Sequence, residues 1–390
     1  MKPEILYVST GLPELRKAHS IQTFFTCKEL ANFFNVVLVY PLTLPLISRR
    51  KMLVRQYKKV NVKLILLPTT SLGRFFKSDI LFMLDKFIFS LFVLLYTILN
   101  QSKIILTRDT VVAFCLANFY KSKRKVILEI HKLEHMTKRG RLKYVIGKIE
   151  KSSLKKADFV ISITKWMLNY VKKLNCNVTF IPDSFEPSIF KRMSKKKVRR
   201  MLNLSKGKNI VLYSGLTFRH GILDLIKAGK ILDSAEIFIV GGDRKEVNRF
   251  EHFVKSHKIN NTFFIPRVPI EKVSLYLNAA DILVLPYSSN EFNEYFTSPL
   301  KLFEYMAVKK PIVATKVGCF KGILKDGYNC ILVEPDNPQA LAKGILKLLE
   351  NKKLANRIAE NAYKESNNYT YEKRAKRIKK IIEIYFSSHR

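Results

Sequence analysis

NIVLYSG, residues 209–215, holds a short continuous apolar run, Ile210–Tyr213, that gives way to Ser214 and a glycine. A run apolar at every position fits a strand covered on both faces better than one with a wet side. A helical stretch, LIKAGKIL (225–232), follows, and the alternation then continues through AEIFIVGG (235–242), TFFIPR (262–267), DILVLPY (281–287), PIVATKV (311–317) and CILVEP (330–335). Short apolar strands separated by helices imply a parallel sheet between two helical layers.

Upstream lies KRMSKKKVRRMLNLSKGK (191–208), with nine basic residues and no acid, which reads as a boundary segment. Before it the same alternation runs through EILYVST (4–10), VVLVYP (36–41), VKLILLP (62–68), KIILTR (103–108), KVILEIH (125–131), DFVISIT (158–164) and VTFIPDS (178–184). The expected class is α/β, with two Rossmann-like doubly wound domains, residues 1–190 and 191–370, facing across a cleft. A basic helix in 371–390 is expected to pack back on the first. Open doubly wound sheets take ligands beyond the carboxyl ends of their strands, so candidate chemistry is sought there.

The chain has 390 residues and a net charge of +39, yet 47% of it is hydrophobic and 12% aromatic, which excludes a disordered polycation. Such charge has three origins: nucleic acid, an anionic membrane surface, or a coding bias toward Lys, Ile and Asn. No nucleic-acid-binding module is recognisable, so no specific nucleic-acid partner is expected. Cys27, Cys115, Cys176, Cys319 and Cys330 are widely spaced without a C-x-x-C, which points to neither disulfides nor zinc and suits a reducing cytosol. MKPEILYVSTG reads as a strand, not a signal peptide. The longest uncharged apolar run, FIFSLFVLLYTIL (87–99), is shorter than the ~20 residues of a bilayer span, and is read as a buried helix, with an interfacial segment as the alternative.

TSPLKLFEYMA (297–307) carries the strongest chemical signal. Ser298 suits an N-cap and Pro299 the first helical position, which makes Lys301 the third helical residue. A cation there opposes the helix dipole unless an anion such as a diphosphate occupies the exposed amides, beginning at Leu300. Glu304 falls among Leu302, Phe303, Tyr305 and Met306, where a lone carboxylate is costly. It could accept two hydrogen bonds from the vicinal diol of a ribose. The alternative is an amphipathic helix with a Lys–Glu surface pair.

SPLKLFEYMAVKKPIVATKVGCFKGILKDGYNCILVEPDNPQALAKGI (298–345) resembles the C-terminal signature of retaining glycosyltransferases of family 4 (group 1), which have the GT-B fold. VLYSGLTFRHGILDLIKA (211–228), LYLNAADILVLPY (275–287), KVILEIH (125–131) and STGLPELRKAHSIQTFFTCKELA (9–31) resemble further family segments in the family's order. The resemblance implies that Glu304 binds the donor ribose, that Ser298, Pro299, Leu300 and Lys301 contact the diphosphate, and that Arg219, aided by Lys301, stabilises the leaving group. His220 stands where a Lys is common. His131, at a strand end, resembles the histidine near the reacting sugar, with His135 as a competitor. Gly11 and Gly215 follow first strands and would let backbone approach the donor; Gly241-Gly242 is a similar turn, and His19 and Arg108 are weaker acceptor-side or structural candidates. The family often has a glutamate eight residues before Glu304; here that position is Phe296, with Glu291 and Glu294 out of register.

The implied activity is transfer of a sugar from a nucleotide-diphosphate sugar to a hydroxyl of a glycan or lipid-linked acceptor. The resemblance implies a metal-independent enzyme, no Asp-x-Asp stands at a suitable strand end, and no cofactor or metal is expected. The basic runs RRKMLVRQYKK (49–59) and Lys138–Lys156 raise an anionic membrane surface as a partner, for a cytoplasmic protein peripheral on the inner face of the cell membrane. Two other readings stay open: a catalytically silent sugar-nucleotide binder, suggested by Phe296, and a basic nucleic-acid-binding protein.

Overall fold

The structure is a computed structural model and describes residues 2–11, 18–119, 124–138, 140–205, 207–216 and 221–386. The chain divides into two units, residues 1–183 with 371–390, and residues 184–370.

The first unit holds β1 (Glu4–Val8), β2 (Asn35–Leu42), β3 (Val62–Pro68), β4 (Ile104–Thr107), β5 (Lys125–Ile130), β6 (Phe159–Ser162) and β7 (Val178–Phe180), in the order β3-β2-β1-β4-β5-β6-β7. The second holds β8 (Asn209–Ser214), β9 (Ala235–Val240), β10 (Thr262–Ile265), β11 (Ile282–Leu285), β12 (Ile312–Thr315) and β13 (Ile331–Val333), in the order β10-β9-β8-β11-β12-β13. Each pairing is parallel: Leu6 lies opposite Val37 and Ile105, and Val211 opposite Ile237 and Ile282. Every apolar run read as a strand forms one. Both sheets reverse their winding direction at the first strand, between β1 and β4 and between β8 and β11, which is where a doubly wound sheet opens a crevice.

The boundary lies seven residues earlier than the sequence division at 190/191. Residues 184–190 belong to the second unit, because the Phe185 amide donates to the Tyr369 carbonyl (3.0 Å) and the Ser274 hydroxyl to the Ile189 carbonyl (2.7 Å). The basic segment after it is part of the same unit. Its helix Lys195–Met201 buries Arg199, which donates to the Ala279 carbonyl (2.9 Å) and pairs with Asp281. A count of charges does not reveal that one of them faces inward.

The apolar run at 87–99 is also corrected. It is the second half of a 21-residue helix, Asp79–Leu99, long and apolar enough to cross a membrane, and its outer side is exposed rather than buried. Asp85 and Lys86 interrupt the run in the sequence, but both turn inward. Lys86 Nζ lies 2.9 Å from Asp109 Oδ2, and Asp85 accepts from the amides of Leu72 (3.0 Å) and Gly73 (2.9 Å).

The helix Tyr371–Phe386 packs in the first unit, with the Tyr371 ring stacked on Phe25 at 5.3 Å.

Candidate functional site

The crevice of the second unit is shaped by close backbone approaches. Gly215, just past β8, has φ +128°, and Gly241, past β9, has φ +145°. A Cβ on Gly241 would stand 2.9 Å from the Gly215 Cα, and one on Gly215 would stand 2.5 Å from Lys301 Nζ. Only glycine meets both the torsion and the space.

Over these strand ends stands the helix Leu300–Ala307. It begins one residue later than the sequence suggests. Pro299 is the N-cap, extended at ψ 116°, its carbonyl accepting from the Leu302 amide (3.0 Å), and Lys301 is the second helical residue. A proline's fixed φ suits either position, so the residue type alone does not set the register. Ser298 lies one step outside the cap. The amides of Leu300 and Lys301 have no acceptor within the helix, as for any helix start.

Leu302, Phe303, Tyr305 and Met306 anchor the helix in the core. The Tyr305 hydroxyl accepts from the Ser214 amide (2.7 Å), tying the helix to the end of β8. Lys301 and Glu304, three residues apart, therefore share a face. Lys301 Nζ donates to the Tyr213 hydroxyl (2.9 Å) and lies 4.5 Å from that ring's centroid. Burial lowers the Lys301 ammonium to about 8, against the pull of Glu304. Burial likewise raises the Glu304 carboxyl to about 7, against the pull of Lys301. The Glu304 carboxylate takes no hydrogen bond from a described residue. Among the described residues the site thus offers helix-start amides without an acceptor in the helix, an ammonium held among tyrosines and, one turn on, a carboxylate that takes no hydrogen bond. That order suits a phosphate followed by a vicinal diol.

Phe296 is buried, its ring 6.1 Å from that of Phe292. Glu294 does not take its place, because its Oε2 accepts from the Gly318 amide (2.8 Å). Glu291 is exposed in the first turn of the helix Glu291–Tyr295. Arg219 and His220 lie outside the described residues. Gly221 caps the start of the next helix at φ +61°, where a Cβ would strike the Pro286 carbonyl, so this helix start stands against the end of β11.

In the first unit the structure brings His131, Arg108 and His19 together. Arg108 donates to His131 Nδ1 (3.0 Å), to the Thr23 hydroxyl (2.9 Å) and to the His19 carbonyl (3.0 Å). A guanidinium can only donate, which assigns the lone pair to Nδ1 and the proton to Nε2. Nε2 then donates to Glu129 Oε1. Burial, with Arg108 beside it, lowers the imidazole to about 4, so His131 is neutral and both nitrogens are engaged. Gly11, three residues past β1, lies against His19, where a Cβ would lie 2.4 Å from Nε2. His135 is bound to the buried Glu150 and belongs to a different cluster.

Two members of this network escaped the sequence reading. Glu129 is fully buried in β5; an acid inside an apolar strand was its visible signal. Arg374 is buried too, pairs with Glu129 and donates to the carbonyls of Ile181 (3.0 Å) and Pro182 (2.7 Å). Nothing distinguishes it in sequence from the other cations of its helix. Among the described residues no group of three His, Cys, Asp or Glu could hold a metal ion, and all five cysteines are unpaired.

Residues 194–365, most of the second unit, match the family of glycosyl transferases group 1. An uncharacterised glycosyltransferase of Methanocaldococcus jannaschii is 29% identical over 293 residues, 70% of this chain and 72% of that protein. Among solved structures, sucrose-phosphate synthase from Thermosynechococcus elongatus superposes with a TM-score of 0.78 at 18% identity, over 99% of this chain and 100% of that one. The Anabaena protein HepE, in complex with UDP, also gives 0.78, at 16% identity over 98% and 100%. The fold is GT-B.

Proposed function

We propose that this protein is a retaining, family 4 glycosyltransferase that moves a sugar from a nucleotide-diphosphate sugar to a hydroxyl of a glycan or lipid-linked acceptor. The observation that carries the reading is Lys301 and Glu304 on one face at a helix start, with the carboxylate taking no hydrogen bond from a described residue. Glu304 holds the ribose diol. The Leu300 and Lys301 amides, reached over Ser298 and Pro299, hold the diphosphate, with Gly215 leaving room for its approach. Lys301 and Arg219 offset the charge that grows on the leaving diphosphate, an electrostatic task that requires no metal in this reading. Retention rests on the resemblance of the motifs. His131 is the first unit's candidate beside the sugar. As a neutral imidazole with both nitrogens engaged, it meets a hydroxyl only by yielding one of those bonds. The protein works in the cytoplasm, at the inner face of the cell membrane.

UDP, the nucleotide bound by HepE, is the first donor probe. A ligand that binds only the folded state raises the melting temperature. UDP or a nucleotide sugar should do so, and Glu304→Ala should remove the shift; an unchanged shift would refute the donor site. Phe296 favours one second reading, a silent binder. Tight donor binding with neither transfer nor hydrolysis of a labelled nucleotide sugar would select it.

A further inference from the structure

We propose that the first unit docks on an anionic lipid surface through one face, formed by the outer side of the helix Asp79–Leu99 and the helix Leu142–Lys156 beside it. This deepens the membrane-side location proposed above and rests on it for its biological purpose, but its observations and its test do not involve sugar transfer.

Ile80, Leu84, Leu91, Leu95 and Ile98 follow one another at spacings that keep them on one side of the helix. All five are exposed, Leu91 by 56% and Leu95 by 51%. The opposite side, with Lys86, Phe89, Val93 and Thr97, is buried. At 1.5 Å per residue the stripe runs about 30 Å, far more than the scattered apolar residues of an ordinary surface. The turn before the helix adds Phe75, 77% exposed, and Phe76, their rings in edge contact at 5.0 Å.

The helix is not free to span a bilayer. Lys86 is paired with Asp109, and Asp85 holds the amides of Leu72 and Gly73. It lies on its own sheet, so its exposed stripe meets a membrane lengthwise, as an interfacial helix does.

The occupant is identified by charge. Residues 138–156 carry eight Lys and Arg and one acid, Glu150, which is buried against His135. Lys138 reaches Asp79 at the start of the stripe, and Phe82 and Met83 share a crevice with Ile146 and Ile149. Cations therefore adjoin the apolar stripe, and Tyr144 and Val145 are exposed among them. A nucleic acid would use the cations but not the leucines. A second copy would use the leucines but meet a like charge of +39. An anionic bilayer uses both.

The test is sedimentation of the full chain with phosphatidylcholine vesicles and with phosphatidylcholine–phosphatidylglycerol vesicles, at low and high salt. The protein should pellet with the anionic vesicles. Leu91→Glu/Leu95→Glu should lower the bound fraction about tenfold, and Lys143→Glu/Lys148→Glu/Lys151→Glu should erase the preference for anionic lipid. Both variants should keep the wild-type melting temperature and its response to UDP, or to whichever nucleotide sugar shifts the wild type. Equal pelleting of the leucine variant and the wild type, or a wild type that stays in solution with both vesicles, would overturn the proposal. So would light scattering that shows a dimer which the leucine variant splits, or RNA binding that the leucine variant loses.

Discussion

Each unit gathers charges at the carboxyl ends of its strands, and the two gatherings differ in what is left over. In the first, Glu129 is saturated by Arg374, His131 and Gln22, and Arg108 is divided among a ring nitrogen, a hydroxyl and a carbonyl. In the second, Glu304 takes no hydrogen bond from a described residue, and Lys301 reaches a phenol rather than a carboxylate. Burial is compensated in one place and left standing in the other, where it pushes both members of the pair toward neutrality. A saturated cluster holds a fold together. An unsaturated one stores an unmet demand that a ligand can fill.

Perturbing each cluster sharpens that contrast. The largest effect is expected at Arg374. Arg374→Ala leaves a buried carboxylate without its partner and should cost about 3–5 kcal/mol in urea unfolding, whereas Glu129→Met/Arg374→Met should recover most of it. Next comes Glu304→Ala, for which calorimetry should show UDP affinity reduced ~100-fold, about 3 kcal/mol, with the unfolding midpoint nearly unchanged. A loss of stability there instead would place Glu304 with the saturated kind.

The pH response separates the clusters further. Glu304 must be ionised to accept hydroxyls, and its carboxyl is raised to about 7, so donor affinity should fall as pH drops through that value. Lys301 must be charged to meet a diphosphate, and its ammonium is lowered to about 8, so affinity should fall again as pH rises through that value. UDP titrations should therefore peak between about pH 7 and 8, with Glu304→Gln removing the acid limb. The smallest effect is expected for His131→Asn, about 1 kcal/mol of stability and no change in donor affinity, by thermal melts and the same titrations.

The strands were legible because a parallel sheet covered on both faces writes itself as unbroken apolar runs. The donor helix was legible because Lys301 and Glu304 are out of place by local rules, one against a dipole and one within an apolar face. Its start at Leu300 was not, since proline serves equally as cap or first residue. The network around Glu129 stayed hidden because its partners are far apart in sequence and chemically ordinary. Arg374 is one cation among many on its helix, and its burial depends on where that helix is carried. The open stripe of the helix Asp79–Leu99 stood only as the alternative, an interfacial segment, for a related reason. Asp85 and Lys86 broke the apolar count, although both point away from the surface that matters.

The bond from Arg374 to Glu129 spans 245 positions of the chain. On a ribosome the first sheet emerges early, yet its buried acid must wait while the whole second unit is made. At ordinary rates of synthesis that delay is about 10–50 s. The second unit, continuous from 184 to 370, can finish its own folding in the interval. The half of the protein that is born first is therefore completed only after the second, sealed by the helix that follows it.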